Sequence, residues 1–218
     1  MTNVFKTPEK VQTRSRLFKA GVATLEKAGW KVERIRGVGK SSVRRITRGP
    51  ESKVVTIRTT QNTWIAFPRN KDDTAWGTLA DVDAVVAVSV DEHDSPRFAQ
   101  VHMIDGDEMR GRFDRAYAAR HEANYTMPLG RGIWLSLYQK EAKDPVTLVG
   151  AGAGLDNPVL AKIPLDSIDA VEPETAAEAE DTDEADTEDA PLTIAEAKRR
   201  LALTFGVSPA SIKIIVEG

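Results

Sequence analysis

The chain of 218 residues has no cysteine and no long apolar run. Without cysteine neither a disulfide nor a thiolate metal site can form, and such a chain fits a reducing compartment, so we expect a cytoplasmic protein. The longest apolar run, residues 84–88, is strand length and too short to cross a bilayer. The first residues lack the apolar core of a signal peptide. We therefore predict no membrane contact.

Charge is segregated along the chain. Residues 1–150 carry 25 lysines and arginines against 18 acidic residues, whereas residues 151–218 carry 5 against 15. The basic excess peaks in residues 1–67, which carry 15 against 4. Such segregation indicates either an anionic partner for the basic half or shielding of one half by the other.

Hydrophobic spacing predicts an α+β domain with a mixed or antiparallel central sheet flanked by helices. Short strands with turn signals between them indicate an antiparallel meander over the first four strands. A second helix is expected to place Arg110, Arg112, Arg115 and Arg120 on its outer face. The predicted helices are 7–28 and 105–122, and the predicted strands are 30–35, 42–47, 53–59, 63–67, 83–90, 98–104 and 133–138.

Composition divides the chain into four parts. Residues 1–150 form the basic α/β domain, and residues 151–170 connect it to a linker. Residues 171–190 hold ten acidic residues and no basic one, so we expect a disordered linker. Residues 191–218 predict a helix and a strand, too short to bury a core alone. This tail is therefore expected to dock on its own domain, on a second copy or on a protein partner.

Several motif-like stretches favour ordinary structure over chemistry. Residues 37–41 and 150–154 resemble phosphate or dinucleotide loops, but each lacks a required glycine and a following helix, so no cofactor is predicted. The acid pairs at 81 and 83 and at 105 and 107 offer oxygen ligands to a hard cation, but they are more typical of a strand boundary and a helix cap. The histidines at 93, 102 and 121 have no ligand spacing and read as surface or strand residues, so no metal is predicted.

Basic residues on consecutive predicted strands are the strongest functional signal. Arginine and lysine supply the charge and donors that phosphates need, and aromatic rings stack on bases. The ordinary alternative is a solvated basic surface. We predict nucleic acid as the partner, contacted by Lys40, Arg44, Arg45, Arg48, Lys53, Arg58, Trp64, Arg69 and Lys71.

The arrangement of a helix, the strand 53–60 and the strand 64–67 resembles the core of the PD-(D/E)XK nuclease-like superfamily, over roughly residues 7–138. In active members of that superfamily an aspartate and an acid-x-lysine motif hold a divalent metal that activates water. The corresponding positions here are Arg44 or Arg45, and Thr56 with Arg58. Because arginine repels a metal and threonine cannot replace a carboxylate, the resemblance implies an inactive copy that binds phosphate directly.

Three functions remain open at this point. The first is a non-catalytic nucleic-acid-binding or regulatory protein. The second is a divergent metal-dependent nuclease using migrated acids such as Glu33, Asp81 or Asp83. The third is a protein–protein adaptor that docks through residues 191–218 on the charged tether. A further hypothesis, from the opposite charges in one chain, is that the acidic linker occupies the basic surface and competes with nucleic acid.

Overall fold

The computed structural model describes residues 8–35, 42–70, 72–127 and 132–168. All of them belong to the first of the two units into which the chain divides, residues 1–185. Lys40, Lys71, the acidic linker and the C-terminal tail lie outside the described residues, and so do residues 37–41. The described elements are α1 (Pro8–Lys27), β1 (Lys31–Arg34), β2 (Val43–Arg48), β3 (Glu51–Thr60), β4 (Trp64–Pro68), β5 (Ala84–Val90), β6 (Phe98–Asp105), α2 (Gly106–Glu122), β7 (Gly132–Ser136), α3 (Ala153–Asp156) and β8 (Ala161–Pro164).

The predicted α+β class with a mixed sheet flanked by helices is confirmed. Six strands form one sheet in the order β1-β2-β3-β5-β6-β8, and β4 and β7 form a second sheet of two strands. In the larger sheet β3 and β5 run parallel, while the other neighbours are antiparallel. All seven residues of β5 are buried, as expected for a central strand covered on both faces.

Helix α1 covers one face of the larger sheet. Its Leu17 and Leu25 are buried in a cluster with Ile57 of β3 and Val86 of β5. The helix approaches closely at Gly21, where an added Cβ atom would lie 2.9 Å from a methyl group of Val88. The absent side chain therefore sets the distance between the helix and the sheet.

Helix α2 and the β4–β7 sheet cover the opposite face. Met109 and Phe113 of α2 pack into a second core cluster with Val85 of β5, Phe67 of β4 and Leu135 of β7. The ring of Phe113 meets that of Phe67 edge-on at 5.3 Å. The layers are thus a helix, a six-stranded sheet, and a mixed layer of α2 with the small sheet.

The predicted meander is wrong in its fourth strand. The antiparallel order holds for β1, β2 and β3, but β4 leaves the larger sheet and pairs with β7, Trp64 opposite Ser136. Strand β5 takes the place beside β3 in parallel register, Val55 opposite Ala84. Strands joined by a short connection usually pair with each other. Strand β4 instead pairs with β7, which lies far along the chain, and this pairing buries the apolar face of β4 against α2.

The folded unit also extends beyond the predicted domain boundary at residue 150. Strand β8 pairs with β6, Ile163 opposite Ala99, and α3 lies just before it. The residues assigned to a connection therefore complete the sheet. Within the described ranges no helix is long and apolar enough to span a membrane.

Candidate functional site

Strand alternation divides the predicted basic cluster between the two faces of the larger sheet. Arg44 and Arg48 of β2 and Lys53 of β3 lie on the face that α1 covers. The aromatic rings that these cations contact, and the residues opposite them on the neighbouring strand, belong to that face. Arg34 of β1 lies directly opposite Arg44 and shares this face. Arg45 points to the other side of the same strand. We call Lys19, Arg34, Arg44, Arg48 and Lys53 the α1-side basic face.

Arg44 forms the floor of a groove between α1 and the strands β1 and β2. Its guanidinium lies 5.1 Å from the centre of the Phe18 ring, and the residue is 5% exposed. The groove has a volume of about 350 Å³. Helix α1 contributes two charged residues to the lining of the groove, the basic Lys19 and the acidic Glu26. Arg44 was predicted to contact phosphate. Because it is buried, it lies beneath the more exposed cations of this face.

Arg48 and Lys53 mark the other end of the α1-side basic face. Both cations lie over the ring of Trp30, at 4.4 Å and 6.0 Å from its centre. Glu51 contacts both of them, with distances of 3.3 Å to Arg48 and 3.2 Å to Lys53. Hydrogen bonds from Lys53 and then Arg48 hold the pKa of Glu51 below its usual value. Part of the positive charge at this end is therefore neutralised within the chain.

Of the positions that correspond to nuclease catalytic residues, Arg44 lies apart from Thr56 and Arg58, whereas Arg45 lies on their side of the sheet. Arg44 lies on the α1 side, whereas Thr56 and Arg58 of β3 lie on the side of α2. Thr56 is fully buried and its hydroxyl donates to Oγ of Ser42 at 3.3 Å. Arg58 is 5% exposed, with its guanidinium 4.6 Å from the ring centre of Phe67. The burial of Arg58 argues against the direct phosphate contact expected of it.

Arg69 belongs to a local clamp. Its guanidinium lies over the rings of both Trp76 and Tyr117, at 4.8 Å and 4.7 Å from their centres, and its Nε donates to Asp73 at 2.7 Å. The Tyr117 hydroxyl donates to the same carboxylate at 2.6 Å. These two contacts hold the pKa of Asp73 below its usual value, Tyr117 being the larger cause. Arg69 therefore joins the loop after β4 to α2, and its predicted contact with nucleic acid stays a prediction.

Two of the three acids of the alternative nuclease hypothesis have structural partners. A carboxylate oxygen of Asp83 accepts from the backbone N–H of Val54 at 2.7 Å, and Glu33 pairs with Lys31 at 2.9 Å. Asp105 caps α2 by accepting from the N–H groups of Asp107 and Glu108, as predicted. Across residues 8–35, 42–70, 72–127 and 132–168 no group of three or more histidine or acidic residues is placed to hold a metal ion.

The backbone N–H groups of the glycine-rich run after residue 149 donate hydrogen bonds to other residues of the chain. The N–H groups of Gly150, Gly152 and Gly154 donate to the Glu141 carboxylate and to two backbone carbonyls, each at 2.8 Å. These donors are therefore not directed at a phosphate. A helix of only four residues, α3, begins inside the run at Ala153 and ends before Asn157.

His102 is a buried strand residue whose environment the sequence does not show. It is fully buried on β6, and its Nδ1 donates to the carbonyl of Asn157 at 3.1 Å. Its Nε2 accepts from the Tyr138 hydroxyl at 3.0 Å, and Tyr138 contacts the Ser89 hydroxyl at 2.6 Å. Burial lowers the pKa of His102. This chain of polar groups joins β5, β6 and the segment after β7.

Two arginines of α2 are buried, contrary to the prediction that they face outward. Arg112 is 6% exposed and pairs with Glu108 at 2.9 Å and with Asp156 at 2.5 Å. Arg120 is 7% exposed and lines a pocket of about 390 Å³. The lining of this pocket is Trp64, Arg120, Tyr125, Thr126, Met127, Gly132, Ile133, Trp134 and Thr147.

Helical spacing contained the signal for these two arginines. Arg112 follows Met109 by three residues and Arg120 follows Ala116 by four, so both lie on the stripe that faces the core. The preference of arginine for the surface outweighed that spacing in the sequence interpretation. Trp64 was predicted as a stacking residue, and the structure places it in this pocket with Trp134, which the sequence analysis did not select.

Comparison of the chain with protein-family models, with curated proteins and with solved structures finds no match.

Proposed function

We propose that the protein is a non-catalytic nucleic-acid-binding protein that contacts phosphates through the α1-side basic face. The observation that carries the proposal is the placement of Arg34 directly opposite Arg44 on that face. This register places two guanidinium groups side by side on one face of the sheet, next to Lys19 on α1. Lysines and arginines gathered on one face bind a phosphate backbone by neutralising its charge and releasing its counterions.

The exposure of the cations suggests an order of contact. Arg34 and Arg48 are exposed and Lys53 is half-buried, so they are placed for first contact with phosphates. Arg44 lies beneath them and adds charge from the floor of the groove. The Arg48 guanidinium stacks on the ring of Trp30, and this contact holds the N–H donors of Arg48 in one plane. A planar, preorganised guanidinium is the side chain best suited to a phosphate.

The proposed lack of catalysis is supported by the centre of β3. Thr56 and Arg58 are buried there and bring no carboxylate. A layered domain with a mixed sheet and helices on both faces is the arrangement that the resemblance to the PD-(D/E)XK superfamily implies. We propose that the protein is related to this superfamily and that it is cytoplasmic. The relationship predicts a copy of the fold that binds phosphate without hydrolysing it.

The test uses charge reversal on the two faces of one sheet. The affinity of the full chain for a short DNA duplex and for single-stranded DNA and RNA is measured across a salt series. We expect log K to fall linearly with log salt, and Arg34→Glu to lower the affinity and to reduce the slope by about 0.7 to 0.9 or more. Arg45→Glu is the matched control, because Arg45 is exposed on the opposite face of β2.

Three results would contradict the proposal. One is a signal that does not depend on salt, or no binding at low salt. A second is equal loss with Arg45→Glu and Arg34→Glu, which would show that the net charge of the chain matters and the face does not. The third is cleavage of the nucleic acid with Mg²⁺ or Mn²⁺ that an Asp83→Ala change abolishes, which would support the metal-dependent nuclease.

A further inference from the structure

The pocket around Arg120 has the size and the walls of a small-molecule site. It lies between the β4–β7 sheet and the segment that follows α2, and it has a volume of about 390 Å³. Pockets for small organic ligands occupy roughly 300–1,000 Å³ and combine apolar walls with few polar groups. The walls here are largely aromatic and aliphatic, and Arg120 is the charged residue of the lining. A lone inorganic anion would leave most of this volume unfilled.

Arg120 is a buried cation without a carboxylate partner in the described part of the chain. Its Nη1 donates to the carbonyl of Ala116 at 3.2 Å. Its Nη2 donates to the carbonyls of Trp134 at 3.1 Å and Thr147 at 3.2 Å. These contacts fix the guanidinium in position, but all three are to neutral carbonyl groups. Buried charges are normally paired, since their desolvation is costly.

Arg112 shows what a structurally satisfied arginine looks like on the same helix. It is buried to the same extent, 6% exposed against 7% for Arg120. In contrast to Arg120, it holds two carboxylates, those of Glu108 and Asp156. Both arginines cross-link α2 to neighbouring segments, and only one of them carries its counter-ions within the described residues. The difference points to an external anion at Arg120.

Aromatic rings flank the entrance to Arg120. Trp134 is 41% exposed and Tyr125 is 52% exposed, although large apolar side chains are otherwise mostly buried. Trp64 and Trp134 are diagonal neighbours on one face of the β4–β7 sheet, because Trp64 lies opposite Ser136 and Trp134 opposite Ala66. Diagonal neighbours are about 7–8 Å apart, within reach of one planar group for aromatic side chains. Exposed rings beside a positive charge are the features that recognise a nucleobase and its phosphate.

We propose that this pocket binds a nucleotide, with the base stacked on Trp134 and Trp64 and the phosphate paired with the Arg120 guanidinium. The phosphate supplies the negative charge that Arg120 lacks, and the base fills the aromatic part of the volume. The same chemistry is offered by a free nucleoside monophosphate and by the terminal nucleotide of a strand. The proposal stands apart from the α1-side basic face, since its residues lie on β4, α2 and β7 and the segments beside them.

The test is a titration of the full chain with 5′-AMP and 5′-CMP, followed by tryptophan fluorescence and by calorimetry. Trp30 and Trp76 are buried, so quenching reports mainly on Trp64 and Trp134. We expect saturable quenching, and at least about tenfold weaker binding of adenosine and cytidine, because a hydrogen bond to a charged group is lost. Trp134→Ala should weaken nucleotide binding by at least about fivefold, the loss of one stacked base.

Two further variants separate binding from folding. Arg120→Met should abolish the preference for the nucleotide over the nucleoside. Arg115→Gln is its control, because Arg115 lies on the same helix, is exposed, and pairs with Glu141 at 3.1 Å. If Arg120→Met does not fold, Trp134→Ala still decides, since an exposed side chain is replaced. Equal affinity for nucleotide and nucleoside, unchanged affinity in Trp134→Ala, or no saturable binding of either ligand would overturn the proposal.

The source of the ligand and the independence of the two sites are tested together. Oligonucleotides with and without a 5′-phosphate show whether a strand end enters the pocket in place of a free nucleotide. Arg34→Glu should leave 5′-AMP binding unchanged. Nucleotide binding without salt-dependent strand binding would sustain the pocket and refute the basic face, and the reverse result would refute the pocket alone.

Discussion

Replacing Tyr138 by phenylalanine removes a hydroxyl group that joins two fully buried polar side chains. Because the carbonyl of Asn157 can only accept, His102 donates from Nδ1 and its neutral Nε2 accepts from Tyr138. The hydroxyl of Ser89 then donates to Tyr138 at 2.6 Å. Both Ser89 and His102 are 0% exposed, so bulk water does not contact either side chain. Each buried group left without its partner costs about 1–3 kcal/mol, and we expect a total loss of about 2–4 kcal/mol.

A second tyrosine provides the matched control. Tyr117→Phe also removes one hydroxyl contact, to Asp73 at 2.6 Å, but the Asp73 side chain is 37% exposed and keeps its pairing with Arg69. Its loss should therefore not exceed about 1 kcal/mol. The assay is urea unfolding, with an unchanged slope and a lower midpoint for Tyr138→Phe.

If both tyrosine variants lose the same free energy of unfolding, the hydrogen bonds of Tyr138 to Ser89 and His102 do not have the proposed effect on stability. A double-mutant cycle adds a second criterion, because Ser89→Ala and Tyr138→Phe remove the same contact. The combined loss should be smaller than the sum of the two single losses. Strict additivity would show that the two hydroxyl groups do not interact.

The remaining predictions concern pH and backbone packing. His102 is neutral in the folded state because burial lowers its pKa, whereas in the unfolded chain it takes up a proton below about pH 6.5. Stability should thus fall as pH drops from about 6.5 towards the folded pKa, by at most about 1.4 kcal/mol per pH unit, and His102→Gln but not His93→Gln should flatten this region of the curve. Gly106→Ala should cost about 2 kcal/mol or more, since its Cβ would lie 2.6 Å from the Val82 carbonyl oxygen. At Gly111 of the same helix the nearest atom to an added Cβ is the end of the Arg115 side chain at 3.7 Å, an ordinary contact, so Gly111→Ala should raise the stability by up to about 1 kcal/mol; equal effects of the two glycine changes would refute the clash.

The order of helices and strands was predictable because it depends on local spacing. Helix α1 ends where Gly29 adopts a left-handed conformation, with φ of 85°, as its position after the apolar stripe indicates. The continuous apolar run 84–88 indicated a central strand, and β5 is that strand. The cap at Asp105 followed from its place before α2. Each of these signals lies within a few residues of the feature it predicts.

The face on which each arginine lies required the tertiary structure. In sequence, Arg44 and Arg45 are one basic cluster with Arg58. Pairing with β1 and β3 sends Arg44 to the α1 side and leaves Arg45 on the other face. A shift of one residue in register would exchange these faces, and register depends on which distant surfaces are buried. A sequence motif therefore does not define the surface that it forms.

The sequence by itself determined the charge segregation, the absence of disulfides and the succession of elements in the basic domain, because these are properties of composition and short-range spacing. Only the tertiary structure decided that β4 pairs with β7, since strand partners far apart in the chain are chosen by the burial of whole layers. The same pairing brings Trp64 and Trp134 together above Arg120. The candidate nucleotide pocket is thus a product of long-range packing.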